Sequence, residues 1–337
     1  MNLTILNTLF EKISHLRVGV IGDFAVDFYY QLQTQTGEQS VETGKEVFWA
    51  KIPKTSLGGA GNVVQNLAAL GVKNLQVFGF VGNDLYGREM RFLLSQVGAD
   101  ISTLYTLDAH WDTCTYTKPM TATGEANRID FGTHNQLPEK VFEIILENLE
   151  KALPMLDVLI INQQFANPLI NATRLASLQK LFQKYPQCLF LADLRDLGGL
   201  LREATLKVNT EELGRILGSP PASDLGQCVT QARRLHAITK APVLVTRGAE
   251  GILYVDKEDT AQVKGIALEG PLDTVGAGDT VVAAFAVAKA VGTSVSRALQ
   301  MANLAAAVTI QKLNQTGTAT PQEIMALSQQ VGQIHHS

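Results

Sequence analysis

The chain has 337 residues, 46% hydrophobic and 18% charged, which is enough apolar material for a large core and excludes a disordered chain. Its net charge of -4, with Lys and Arg scattered, leaves no basic footprint, so nucleic acid is excluded as the main partner and a small molecule is expected. The cysteines Cys114, Cys188 and Cys228 fit neither a disulfide framework nor zinc-ligand spacing, and they predict a reducing cytoplasmic setting.

In chain order, residues 1–17 mix Glu11, Lys12 and His15 into an amphipathic pattern without a basic leader or continuous apolar run, which predicts a surface helix and no signal peptide. Short apolar runs follow at Arg17–Gly22, Gln76–Gly82, Val158–Ile161, Cys188–Ala192 and Val243–Thr246, and each suits a parallel strand covered on both faces. Helical patterns fall between them, over Asn62–Leu70, Arg88–Val97, Glu139–Leu153, Thr173–Lys184, Glu211–Leu217 and Leu225–Ile238. The alternation predicts an α/β fold: a doubly wound, mostly parallel sheet in a three-layer α/β/α arrangement, with ligands beyond the carboxyl ends of the strands. Two polar, strand-like stretches at 28–57 and 112–132 interrupt it, with a period-two segment at Glu46–Ile52 and a turn at Thr123-Gly124. They predict a small accessory β-sheet that serves as a lid or a dimer face. No repeat or linker divides the chain, so one domain over 1–337 is expected, and no run of about twenty apolar residues predicts a membrane span. Asn2, Asn171 and Asn314 each open an Asn-x-Thr acceptor sequence, read here as chance.

The densest chemistry lies at Asp273-Thr274-Val275-Gly276-Ala277-Gly278-Asp279-Thr280, which runs into an apolar helix ended by Gly292. Backbone N–H groups at a helix start have no intrahelical partner and carry the positive end of the dipole, so Gly276, Ala277, Gly278 and Asp279 can seat phosphate oxygens. A carboxylate in that first turn can take the proton of an attacking hydroxyl, which points to phosphoryl transfer. The bland alternative is a glycine turn followed by an acid that favours any first helical turn.

Five pieces in this order resemble the ribokinase or PfkB family of carbohydrate kinases. They are Gly22-Asp23 with Asp27, Gly58-Gly59-Ala60-Gly61-Asn62, Asn209-Thr210-Glu211-Glu212, Thr246-Arg247-Gly248-Ala249-Glu250-Gly251, and the loop from Gly276 to Asp279. The resemblance spans about Arg17 to Gly317 and is nearest to the heptose-7-phosphate kinase branch, the kinase half of the bifunctional enzyme that builds ADP-heptose. Ser40-Val41-Glu42, Asn127-Arg128-Ile129-Asp130-Phe131 and Asp279-Thr280-Val281 carry that second step. No counterpart of that enzyme's nucleotidyltransferase half is found in these residues.

The resemblance implies a ribokinase-like fold, ATP with Mg2+, a sugar or sugar-phosphate acceptor and a homodimer formed through the lid. It implies Asp279 as catalytic base and the 276–279 loop as anion hole. Asp23, Asp27, Gly58, Gly59 and Asn62 would line the sugar site; otherwise the acids cap turns and the glycines with Asn62 form an ordinary helix start. Arg128 holds a substrate phosphate or is a solvated lid arginine. Arg195, in Asp193-Leu194-Arg195-Asp196, matches an arginine of the sugar-acid kinases, so a 2-keto-3-deoxy acid is the alternative substrate. Asn209 and Glu212 work with Mg2+ and its waters, or form a capping box. Thr246, Gly248, Gly251 and Asn303 fall to the nucleotide, or to a β-turn and local packing. Asp273 and Thr274 flank a monovalent-cation (K+) site in some relatives. Two further alternatives are a non-catalytic sugar or nucleotide sensor and a kinase of a nucleoside or vitamin hydroxymethyl group.

Overall fold

The computed structural model describes residues 1–108, 111–165, 167–313 and 316–334. Asn314 and Gln315 of the third acceptor sequence therefore lie outside the described residues. A central sheet runs in the order Thr260–Val263, Ile252–Val255, Val243–Thr246, Thr205–Asn209, Leu189–Leu194, Val158–Gln163, Arg17–Gly22, Asn74–Gly82 and Ala99–Asp100, with Leu104–Leu107 also on Asn74–Gly82. All its pairings are parallel except those of the hairpin Ile252–Val255 and Thr260–Val263, which runs antiparallel at one edge.

The apolar runs read as two-faced strands because alternate side chains enter different cores. Val18, Val20, Val158, Ile160, Leu191 and Leu244 join one cluster, whereas Ile21, Leu159, Ile161, Phe190, Val243 and Val245 join the other. The first cluster is closed by the helices Ala60–Ala69, Ala277–Ala290 and Val295–Thr309, the second by Glu139–Ala152, Ala172–Lys184, Thr210–Leu217 and Leu225–Thr239. This is the three-layer α/β/α arrangement expected. The amphipathic N-terminus forms a helix over Leu3–Ile13 that buries Leu6, Leu9, Phe10 and Ile13. Among the described residues no helix is long and apolar enough to cross a membrane.

A second, five-stranded sheet is built from Phe24–Gln33, Trp49–Gly59, Thr115–Thr121, Gly124–Glu125 and Ile129–Phe131. It differs in place from the period-two expectation. The strand expected over Glu46–Ile52 lies instead at Trp49–Gly59, Ile52 takes a left-handed φ of 55°, and the register against Phe24–Gln33 shifts between Tyr29 and Gln31. A bulge of this kind resets which residues face inward, and simple alternation carries no sign of it.

Candidate active site

The helix Ala277–Ala290 is apolar nearly all round, so it is wedged into the core and its N-terminus is fixed. Gly276 caps it at φ 80° with no side-chain cap. A Cβ at Gly276 would sit 2.7 Å from Thr316 Cγ2 and 2.9 Å from Asn62 Nδ2, so both conformation and space demand glycine. The Ala277 N–H donates back to the Thr274 carbonyl at 3.2 Å. That closes the turn and takes the Ala277 N–H out of the four-donor seat expected from sequence.

Asp279 receives the side-chain amide of Asn62 on Oδ2. Burial is the largest influence on its carboxyl and pushes it up, the Asp193 charge adds to that, and Lys207 and Asn62 oppose; the balance lifts it to about 7. Lys207 and Asp193 form a buried ion pair at 2.9 Å, and Lys207 Nζ lies 3.2 Å from where a Gly278 Cβ would be. Burial disfavours the Lys207 ammonium, but Asp193, Glu212 and Asp279 outweigh it and hold it above the ordinary lysine value. Behind Asn62, Asn66 donates to it and accepts from Thr280 Oγ1 at 2.8 Å, which locks the helix Ala60–Ala69 to the loop.

The two acids after the first strand do different things. Asp23 accepts the backbone N–H groups of Gln164, Phe165 and Leu169 at 2.8, 3.0 and 2.7 Å. Burial pushes it up to about 6 against those three bonds. These bonds hold Gln164, Phe165 and Leu169 to the end of the first strand. Asp27 is buried, with Lys118 Nζ 2.9 Å from its Oδ1. Burial raises its carboxyl above the usual range, with Lys118 and Arg128 pulling the other way. Gly58 is there because a Cβ would press within 3.2 Å of the Asp27 carboxylate, and Gly59 because its φ is 55° and a Cβ would meet the Asp23 carbonyl at 2.3 Å.

Both arginines are already engaged. Arg128 binds Asp130 through Nε and Nη2 at 2.7 and 2.8 Å and stacks 4.5 Å over Tyr116, whose ring meets Phe165 edge-on. Arg195 donates to the Gln164 carbonyl at 3.0 Å from an exposed position at a strand end. Asp130 lies two residues from Arg128 on the same segment, whereas the Gln164 carbonyl reaches Arg195 only in the fold.

On the other side of the Gly276–Asp279 loop, a cavity of about 700 Å³ brings together Asn209, Thr246, Gly248, Gly251 and Asn303 with Ala277 and Gly278. Asn303 donates to the Lys264 carbonyl at 2.9 Å and so fixes one wall. Asn209 and Glu212 form the reciprocal capping box at 2.8 Å each way, which uses Glu212 Oε2 and leaves Oε1 available. Asp273 Oδ1 accepts the Val275 N–H at 3.1 Å. Among the described residues no group of three His, Cys, Asp or Glu is clustered as a metal site.

Residues 20–323 match the family model described as pfkB family carbohydrate kinase. The chain belongs to that family. Members of it transfer a phosphoryl group to an alcohol acceptor. Similar curated proteins include the bifunctional protein HldE of Coxiella burnetii, 28% identical over 98% of this chain and 66% of that protein, and HldE of Halorhodospira halophila, 31% identical over 92% and 63%. The chain thus spans less than two thirds of the length of these relatives. Similar folds include Arabidopsis thaliana ribokinase complexed with ribose and ATP (21% identity, 93% of this chain and 98% of that one, TM-score 0.71). Phosphofructokinase-2 from Escherichia coli in complex with potassium is another (18%, 94% and 99%, TM-score 0.71).

Three charged residues beside Asp279 and Asp27 carry no expectation from the sequence: Lys207, Asp193 and Lys118. The strand Thr205–Asn209 was passed over because Lys207 interrupts its apolar run, yet a lysine between Leu206 and Val208 on a buried strand is itself the signal. Asp193 stands in the quoted stretch before Arg195 and is the more deeply buried of the two.

Proposed function

We propose that the protein is an ATP-dependent kinase of a sugar or sugar-phosphate hydroxyl, with heptose 7-phosphate the favoured acceptor on the strength of its HldE relatives. The carrying observation is Asp279: a carboxyl titrating near neutrality at the mouth of an uncapped helix, beside a 700 Å³ cavity that gathers the nucleotide-site residues. ATP occupies that cavity, with its triphosphate toward Gly278 and its base toward Asn303. The sugar lies between Asn62, Asp27, Gly58 and the Tyr116–Phe165 wall.

Asp279 accepts the proton of the sugar hydroxyl as that oxygen bonds to the γ-phosphorus. The bond from phosphorus to the β,γ-bridging oxygen breaks, and ADP leaves with the electron pair. The N–H groups of Gly278 and Asp279, with Lys207 Nζ beneath them, face the charge that develops on the phosphoryl oxygens. Mg2+, when bound, neutralises the phosphates, and Glu212 Oε1 would hold it through water. Asp273 belongs to the segment where a monovalent cation such as K+ is expected.

The smaller sheet acts as the lid that excludes water. Exposed Phe48, Trp49 and Ile52 at one end of it form the surface through which two copies pair, in the cytoplasm. A panel of sugars, sugar phosphates and sugar acids with MgATP, read by ADP release, tests the activity. No release with any acceptor refutes it. A dimer in light scattering that becomes a monomer in Trp49→Lys/Ile52→Lys supports the pairing face, and an unchanged mass refutes it.

A further inference from the structure

The polar face of the smaller sheet is organised in two rows by strand register. Asp27 stands opposite Ser56 and Tyr116, and Tyr116 opposite Asp130. Two residues further from the main sheet, Tyr29 stands opposite Lys54 and Lys118. Alternate residues of a strand share a face, so an inner row of Ser56, Asp27, Tyr116 and Asp130 is backed by an outer row of Lys54, Tyr29 and Lys118, about 7 Å away.

The inner row is neutralised, Asp27 by Lys118 and Asp130 by Arg128. Lys118 donates to Tyr29 Oη at 3.0 Å and sits 4.8 Å over that ring with its side chain 11% exposed, so two of its three N–H donors are engaged. Lys54 is exposed and has no ion-pair partner among the described residues. The outer row therefore carries one uncompensated positive charge and a spare donor. Within the inner row the Ser56 hydroxyl is buried without a hydrogen-bond partner, which marks a polar group waiting for a ligand.

Building on the kinase reading, we infer that Lys54 and Lys118 form the seat for a phosphate already on the sugar, while Asp27 and Ser56 hold its hydroxyls. The substrate is then a sugar phosphate whose phosphate lies at the end remote from the reacting hydroxyl.

The test compares KM for heptose 7-phosphate, the unphosphorylated heptose and 2-keto-3-deoxygluconate in wild type, Lys54→Gln, Lys54→Arg and Lys118→Gln, with circular dichroism as a fold check. Lys54 is exposed, so its variants should fold. Lys54→Gln is expected to raise KM for the phosphorylated sugar about tenfold, since a charged hydrogen bond is lost, with the neutral sugar within about twofold and Lys54→Arg restoring the difference. Lys118→Gln should affect both sugars, the phosphorylated one more. An equal effect of Lys54→Gln on both sugars, or none on either, overturns the seat; a larger effect on the keto acid overturns the phosphate assignment. If wild type binds ATP but turns over no acceptor, the kinase reading itself fails and takes this inference with it.

Discussion

Asn62 donates its side-chain amide to the carboxylate of Asp279, 217 residues further along the chain. This bond joins the start of the helix Ala60–Ala69 to the start of Ala277–Ala290 and aims the acid at the cleft between them. Asn62→Ala should therefore lower kcat while leaving the ATP dissociation constant within about threefold, because the base loses its orientation and the nucleotide cavity loses nothing. Unchanged kcat in steady-state assays would remove the orienting role.

Asp279→Asn should cost turnover by several orders of magnitude with nucleotide binding kept. Its carboxyl is raised to about 7 in the fold, so the wild-type kcat/KM should fall with unit slope as pH drops through that value. The sign for stability is opposite to the usual acid. A raised carboxyl favours the protonated form, so the fold loses stability as pH rises from the ordinary carboxylate range through about 7. Asp279→Asn should then melt higher than wild type at pH 8 and lose that advantage near pH 4. Equal melting temperatures at pH 8 would contradict the buried, destabilised acid.

Breaking the Lys207–Asp193 pair from one side leaves a buried charge alone, and Lys207→Met or Asp193→Leu should each cost about 3–5 kcal/mol in denaturant unfolding. The double variant should recover much of that stability and no activity, since Lys207 also faces the transferring phosphoryl group. A double variant as active as wild type would confine the pair to a structural role.

Asp23→Asn replaces an oxygen acceptor by an NH2 donor and leaves one or more of the N–H groups of Gln164, Phe165 and Leu169 unpaired. A loss of about 1–3 kcal/mol is expected, with a raised KM for sugar through the displaced Phe165 and little change in kcat. A large kcat effect with unchanged stability would return Asp23 to the chemistry.

Gly251→Ala puts a Cβ 2.1 Å from the Val263 carbonyl at a φ of 92°, which the edge hairpin cannot accommodate. The nucleotide cavity shares that wall, so KM for ATP should rise well before KM for sugar. Calorimetry showing wild-type ATP affinity would place the nucleotide elsewhere.

The primary structure by itself determined the layered α/β fold, because period and run length are local properties. Val158–Ile161 is apolar on both faces, Asn209 and Glu212 are spaced for a cap, and Gly276 is needed at the helix start whatever surrounds it. It also marked Asp279, and Asn209, Thr246, Gly248, Gly251 and Asn303, which share one cavity. Only the tertiary structure decided which polar groups are free to meet a ligand. Asp23 and Asp27 look alike four residues apart, but the backbone of a distant strand end engages one and Lys118 pairs with the other. Arg128 and Arg195 look alike as candidate anion ligands, and only the fold shows the first stacked over Tyr116 and the second on the Gln164 carbonyl. The electrostatic neighbours of Lys207 appear only once Asp193, Gly278 and Asp279 surround it, since burial and charge act through space and carry no sequence period.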